Sequence, residues 1–72
     1  TIEDYCSINP GVNIAGNVTI GEGTTIGMGT NILHTVKIGK NSIIGAGSVV
    51  TRDIPDNVVA YGNPCKIVRD NL

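Results

Sequence analysis

Branched aliphatic residues stand at every sixth position of the chain, from Ile2 through Ile8, Ile14, Ile20, Ile26, Ile32, Ile38 and Ile44 to Val50. Neither the helical period of about 3.6 residues nor the strand period of about 2 produces this spacing, so the column belongs to a unit that itself recurs every six residues. A second column runs four residues behind the first: Cys6, Val12, Val18, Thr24, Thr30, Val36, Ser42, Ser48 and Ile54, all small or β-branched. Most positions between the columns are glycine or polar. Two sheltered positions in every six predict a solenoid with a narrow interior.

Hexads of this kind predict an all-β chain, a parallel β-helix in which three short strands and three turns close one triangular coil of about eighteen residues. The chain then holds three coils, ending near Pro55. Inward residues one coil apart stack into ladders: Ile2, Ile20 and Ile38; Ile8, Ile26 and Ile44; Ile14, Ile32 and Val50. Gly21, Gly27, Gly39 and Gly45 follow inward aliphatics directly, and are expected to turn corners that a Cβ would hinder. Ile54-Pro55-Asp56-Asn57 breaks the hexads and leads into Val58-Val59-Ala60-Tyr61 and Gly62-Asn63-Pro64. The expected organisation is a hexapeptide-repeat β-helix over residues 1–55 and a short C-terminal capping segment over 56–72.

Composition sharpens this picture. The chain has 72 residues, no Trp or Phe, and only Tyr5 and Tyr61 as aromatics, so its core must be built from stacked Ile, Val, Ser and Thr. At roughly 4.8 Å per coil, three coils make a prism only about 14 Å long, much of whose apolar interior lies at its two ends. The C-terminal end has its cap, whereas no polar segment precedes Ile2. The expectation is the C-terminal part of a longer protein.

Five basic and six acidic residues leave a net charge of −1, with no basic cluster to displace counterions from nucleic acid or an anionic membrane. No apolar run approaches the roughly 18 residues of a membrane-spanning helix, and no signal-peptide pattern is present, so a cytoplasmic location is expected. Cys6 and Cys65 fall at opposite ends of the predicted prism and are expected to be reduced thiols.

The stretch from Ile38-Gly39-Lys40-Asn41-Ser42 through Gly45-Ala46-Gly47 to Asp53-Ile54-Pro55-Asp56-Asn57, followed by Gly62-Asn63-Pro64-Cys65-Lys66, resembles the end of bacterial hexapeptide-repeat acyltransferases. The likeness is greatest to the branch of sialic-acid O-acetyltransferases and nucleotide-amino-sugar N-acetyltransferases. It implies a left-handed coil, a homotrimer, and grooves between neighbouring prisms that hold acetyl-CoA as cosubstrate. The implied reaction passes an acetyl group to an amino or hydroxyl group of a sugar or nucleotide sugar, with a histidine as general base and backbone N–H groups at the oxyanion.

In the resembling branch that histidine precedes an Ile-Gly-Asp/Glu hexad, which here is Ile2-Glu3-Asp4, so the base is expected upstream of Thr1 and no catalytic residue is expected within the chain. His34, the single histidine, is the alternative base. Counted in coils, it shares a column with Gly16 and faces the same groove; its plainer reading is a polar residue on a turn. A metal is not expected, since zinc sites on this fold need three histidines around the ion.

Matching hexads against the sugar acetyltransferases points to Ser7, Gly16, Met28 and Ala46 as groove-lining positions for CoA. Some relatives carry histidine at the place of Ser7. Pantetheine is narrow and carries two amides, so it needs small side chains that leave backbone polar groups open, as Gly45-Ala46-Gly47 does. Lys66 and Arg69 are placed in the tail to meet the CoA phosphates. Structural corners and solvated charge are the alternative roles of these residues. Two other classes fit the columns: a non-catalytic trimerisation or scaffold module, which leaves the tail unexplained, and an ice-binding solenoid. The latter wants a regular outer row, whereas Ser7, Thr25 and Ile43 change character from coil to coil.

Overall fold

The computed structural model describes residues 1–71; Leu72, the last residue of the expected capping segment, lies outside the described residues. Eight two-residue strands come first: β1 (Ser7–Ile8), β2 (Asn13–Ile14), β3 (Thr19–Ile20), β4 (Thr25–Ile26), β5 (Asn31–Ile32), β6 (Lys37–Ile38), β7 (Ile43–Ile44) and β8 (Val49–Val50). Two longer strands follow, β9 (Val58–Tyr61) and β10 (Lys66–Asp70).

Parallel pairing joins each short strand to the one a full coil away. Ser7 faces Thr25, Thr25 faces Ile43, Asn13 faces Asn31, Asn31 faces Val49, and Thr19 faces Lys37. The three faces of the prism are therefore β1-β4-β7-β9-β10, β2-β5-β8 and β3-β6, the last extended by bridges from Ile2 to Ile20 and from Ile38 to Ile54. The three expected ladders are present, and Ile20, Ile26, Ile32, Ile38, Ile44 and Val50 are buried in them.

The second column is buried too, and its hydroxyls are used. Thr30 Oγ1 donates to the Gly45 carbonyl at 3.1 Å, Ser42 Oγ to that of Pro55 at 2.8 Å and Ser48 Oγ to that of Gly45 at 2.6 Å. Hydroxyl oxygens of this column also receive N–H groups from the following coil, as Thr24 Oγ1 does from Ser42 N and Ser48 Oγ from Gly62 N. A buried hydroxyl without a partner costs roughly 1–3 kcal/mol, so these contacts are what make Ser and Thr acceptable beside Ile and Val. Among the described residues no buried side-chain N or O atom lacks a partner.

The glycines after the inward aliphatics do not act as expected. None of Gly21, Gly27, Gly39 and Gly45 has positive φ. The left-handed corner lies two residues further on, at Tyr5, Gly11, Asn17, Gly23, Gly29, Thr35, Asn41 and Gly47. Gly21, Gly27, Gly39 and Gly45 are needed because the next coil passes against them: a Cβ on Gly21 would come 2.7 Å from the Gly39 carbonyl carbon, and one on Gly45 2.6 Å from the Tyr61 Cβ. Close stacking, rather than turning, excludes a side chain there.

The last coil is shorter. Ile38 faces Ile54 and Ile43 faces Val59, a separation of sixteen residues rather than eighteen. Two carboxylates sit at the contraction: Asp53 Oδ1 accepts Lys37 N–H at 2.9 Å and Asp56 Oδ1 accepts Lys40 N–H at 2.7 Å. β9 then lies parallel to β7 and puts Ala60 on top of the Ile8-Ile26-Ile44 ladder. β10 returns antiparallel to β9, with Tyr61 opposite Lys66, Ala60 opposite Ile67, and a bulge before Arg69. Asn71 fastens the strand end, donating from Nδ2 to the Asn41 carbonyl at 2.7 Å. At the other end Ile2, Ile8 and Ile14 are 49%, 37% and 37% exposed, so their rung is open.

Candidate functional site

Three groups of candidate residues emerge from this stacking. The first lies on the corner that follows β1, β4 and β7, where Pro10, Met28 and Ala46 occupy successive coils. The rungs are tied by Gly29 N donating to the Pro10 carbonyl and Gly47 N donating to the Met28 carbonyl at 2.7 Å. Met28 is 60% exposed, Ala46 and Gly47 are exposed, and Gly45 is half-buried beneath Tyr61. Gly47 has φ 70° and nothing within 4 Å of the place a Cβ would take. This edge therefore offers an apolar thioether, a methyl and open backbone, the surface that a slender amide-bearing ligand needs. Ser7, on β1, is exposed on the adjoining face.

The second group is on the next corner, after β2, β5 and β8. Thr35 N donates to the Gly16 carbonyl at 3.0 Å, and a Cβ on Gly16 would meet His34 Nδ1 at 3.6 Å. Gly16 and His34 do share a column, with the imidazole lying over the glycine. Both are exposed.

The third group closes the C-terminal end. Thr51 and Arg52 follow β8, and the hairpin brings Pro64, Cys65 and Lys66 to them around a recess of about 380 Å³. The return is fixed by Cys65 N donating to the Val49 carbonyl at 2.8 Å and Val49 N to that of Gly62 at 3.0 Å. Two cationic side chains and a hydroxyl thus border one depression, an arrangement suited to an anion. Burial pushes the Cys65 thiol above its ordinary pKa, and a hydrogen bond with Ser48 offsets part of that rise. Cys6 and Cys65 are both free thiols.

The expected residues are thus distributed over two edges and one end. Met28, Gly45, Ala46 and Gly47 come together, Gly16 pairs with His34, and Lys66 borders one recess with Arg52, which sequence reasoning passed over. The available signal for Arg52 was its place two residues after Val50, where the aliphatic column stops. Among the described residues no three His, Cys, Asp or Glu side chains are grouped to hold a metal ion, and no helix is long and apolar enough to cross a membrane.

Known proteins share this fold and sequence pattern. Galactoside O-acetyltransferase of Escherichia coli is 55% identical over 69 residues, covering 96% of this chain and 22% of that protein. A perosamine N-acetyltransferase from Caulobacter crescentus, solved in complex with CoA and GDP-perosamine, superimposes with a TM-score of 0.93 at 42% identity over 96% of this chain and 33% of its own. The acetyltransferase domain of PglB from Neisseria gonorrhoeae, in complex with acetyl coenzyme A, gives a TM-score of 0.86 at 38% identity over 88% of this chain and 31% of its own. The chain accordingly spans about a quarter of the length of the curated relatives it matches, and its fold is the left-handed parallel β-helix of these enzymes. With its hexads matching the model of the bacterial transferase hexapeptide (six repeats) over residues 1–34 and 19–52, the chain belongs to that family.

Proposed function

We propose that this chain is the C-terminal part of an acetyltransferase that moves an acetyl group from acetyl-CoA to an amino or hydroxyl group of a sugar or nucleotide sugar. The observation that carries this reading is the corner of Met28 and Ala46 flanked by open backbone at Gly47. That edge fits pantetheine, and the recess of Arg52 and Lys66, on the neighbouring corner after β8, suits the phosphates of a CoA held between two copies. Relatives solved with CoA, acetyl-CoA and a nucleotide sugar support it.

The two candidate edges lie on different corners of a triangular prism, so no single subunit presents Met28 and Gly16 to one ligand. A groove between two prisms does, because the Met28 edge of one copy can face the Gly16 edge of its neighbour. Three copies closing on themselves give three equivalent grooves, and we therefore assign a homotrimer. Two free thiols suit a reducing compartment, and we place the enzyme in the cytoplasm.

In the reaction the acceptor nitrogen or oxygen attacks the thioester carbonyl while a base removes its proton. The tetrahedral intermediate then collapses and CoA leaves as the thiolate. We assign the base to a histidine upstream of Thr1 and not to His34, whose ring is laid over Gly16. The test is calorimetry and thiol release in the full-length protein with acetyl-CoA and nucleotide amino sugars. Ala46→Trp should fill the corner and abolish CoA binding with assembly intact, while His34→Ala should leave turnover within a few-fold of the parent. Unchanged CoA affinity in a trimeric Ala46→Trp variant refutes the site. Loss of turnover by the roughly 10²–10⁴-fold of a missing base in His34→Ala refutes the assignment of the base.

A further inference from the structure

Tyr61 ends β9 with its side chain placed over Gly45: a Cβ on that glycine would lie 2.6 Å from the Tyr61 Cβ, 3.3 Å from its Cγ and 3.5 Å from its Cδ2. Even so, the residue is 52% exposed. One side of this aromatic is thus pinned on backbone while much of the rest faces solvent, in a chain with no Trp, no Phe and one other tyrosine. Burial does not account for its size, since about half of its surface stays open to solvent.

Its surroundings give it a partner. Tyr61 stands directly opposite Lys66 across the hairpin, so the two side chains leave the same face of that sheet. Lys66 also borders the recess that holds Arg52. Along the chain Tyr61 directly precedes Gly62, and it lies one rung beyond Gly45-Ala46, so it stands at the end of the line that runs from Met28 to Ala46. A half-exposed aromatic ring beside a lysine has the chemistry of a purine nucleotide site: the ring stacks and the cation meets phosphate.

Resting on the function proposed above, we infer that Tyr61 is the stacking platform for the adenine ring of CoA, with Lys66 beside it at the nucleotide's phosphate. Tyr61 then acts on cosubstrate affinity and on the preference for CoA over ligands that lack the nucleotide, and it takes no part in proton transfer. Because the face of the ring carries the interaction, phenylalanine replaces it and an aliphatic side chain does not.

The experiment is calorimetry on the full-length protein with two probes, CoA and 4′-phosphopantetheine, for the parent and for Tyr61→Phe, Tyr61→Leu and Tyr61→Ala. Leucine keeps an apolar cover on Gly45, so a variant that binds weakly but melts like the parent separates stacking from folding. Expected is a loss of CoA affinity of roughly five- to a hundredfold in the Leu and Ala variants, near-parent binding in Tyr61→Phe, and the same 4′-phosphopantetheine affinity in all four. Parent-like CoA affinity in Tyr61→Leu, or an equal loss for both probes, overturns the assignment. Failure of the unsubstituted protein to bind CoA overturns the proposed function, and this assignment with it.

Discussion

Gly27 and Gly29 sit two residues apart on the same corner, yet the structure demands glycine at each for a different reason, and a pair of substitutions separates them. A Cβ on Gly27 would fall on the backbone nitrogen of Ala46, 2.7 Å from its Cα and 2.8 Å from the Gly45 carbonyl carbon. Only backbone lines this contact, so no rotamer change relieves it, and the second and third coils must part by more than half an ångström. The seam being opened carries the Gly27 N–H to Ile44 carbonyl bond at 2.8 Å. Overpacking of this kind costs about 1–3 kcal/mol and a weakened backbone hydrogen bond about 1 kcal/mol, so Gly27→Ala should lose about 2–4 kcal/mol.

Gly29 has nothing within 4 Å of the same construction, but its φ is 70°. Gly29→Ala should therefore lose only the roughly 1–2 kcal/mol of a left-handed L-residue. Asparagine already occupies the equivalent corners at Asn17 and Asn41, with φ of 60° and 53°. Gly29→Asn should thus fall between the parent and Gly29→Ala, whereas Gly27→Asn should be worse than Gly27→Ala. Urea denaturation followed by far-ultraviolet circular dichroism measures all four. If Gly27→Ala costs no more than Gly29→Ala, the attribution of Gly27 to coil stacking is wrong.

Thr35 is a β-branched residue at φ 60°, a corner where Gly and Asn recur, so Thr35→Asn should raise stability by about 1 kcal/mol; an unchanged or lower denaturation midpoint would show that its hydroxyl, bonded to the His34 carbonyl at 2.6 Å, outweighs the strain. Burial raises the Cys65 pKa, so less thiolate is present at any pH below that value, and alkylation by iodoacetamide at pH 8 should be slower than for a free cysteine. Ser48→Ala removes the opposing hydrogen bond and should slow it further; a rate equal to that of free cysteine in the folded protein contradicts this account.

The inward ladders were legible because a period of six leaves one arrangement that shelters every Ile at once, and Ile20, Ile26 and Ile44 are fully buried as that arrangement requires. The stacking of His34 over Gly16 followed from the same count. What glycine does at each place was not legible, since a residue type shows tolerance of either tight contact or positive φ and not which of them is used. The contraction of the last coil was hidden for a related reason: Asp53 and Asp56 stand in for backbone acceptors, and an aspartate after a solenoid reads equally as a solvated turn. Arg52 and Lys66 border one recess, and Tyr61 covers Gly45, only because the hairpin folds back on hydrogen bonds from Cys65 and Asn71. Distances between segments of that sort have no periodic trace in the chain.

The triangular cross-section also restricts how a gene for such a protein can lengthen. Inserting six residues keeps every aliphatic pointing inward, so the product folds, but everything downstream is carried round by a third of a turn. Met28 would then stay on its edge while Tyr61 and Lys66 moved to another. Only multiples of eighteen lengthen the prism and keep the surface columns in line. Descendants of a common ancestor should therefore differ by whole coils wherever the groove is retained, and by single hexads only where its chemistry has been abandoned.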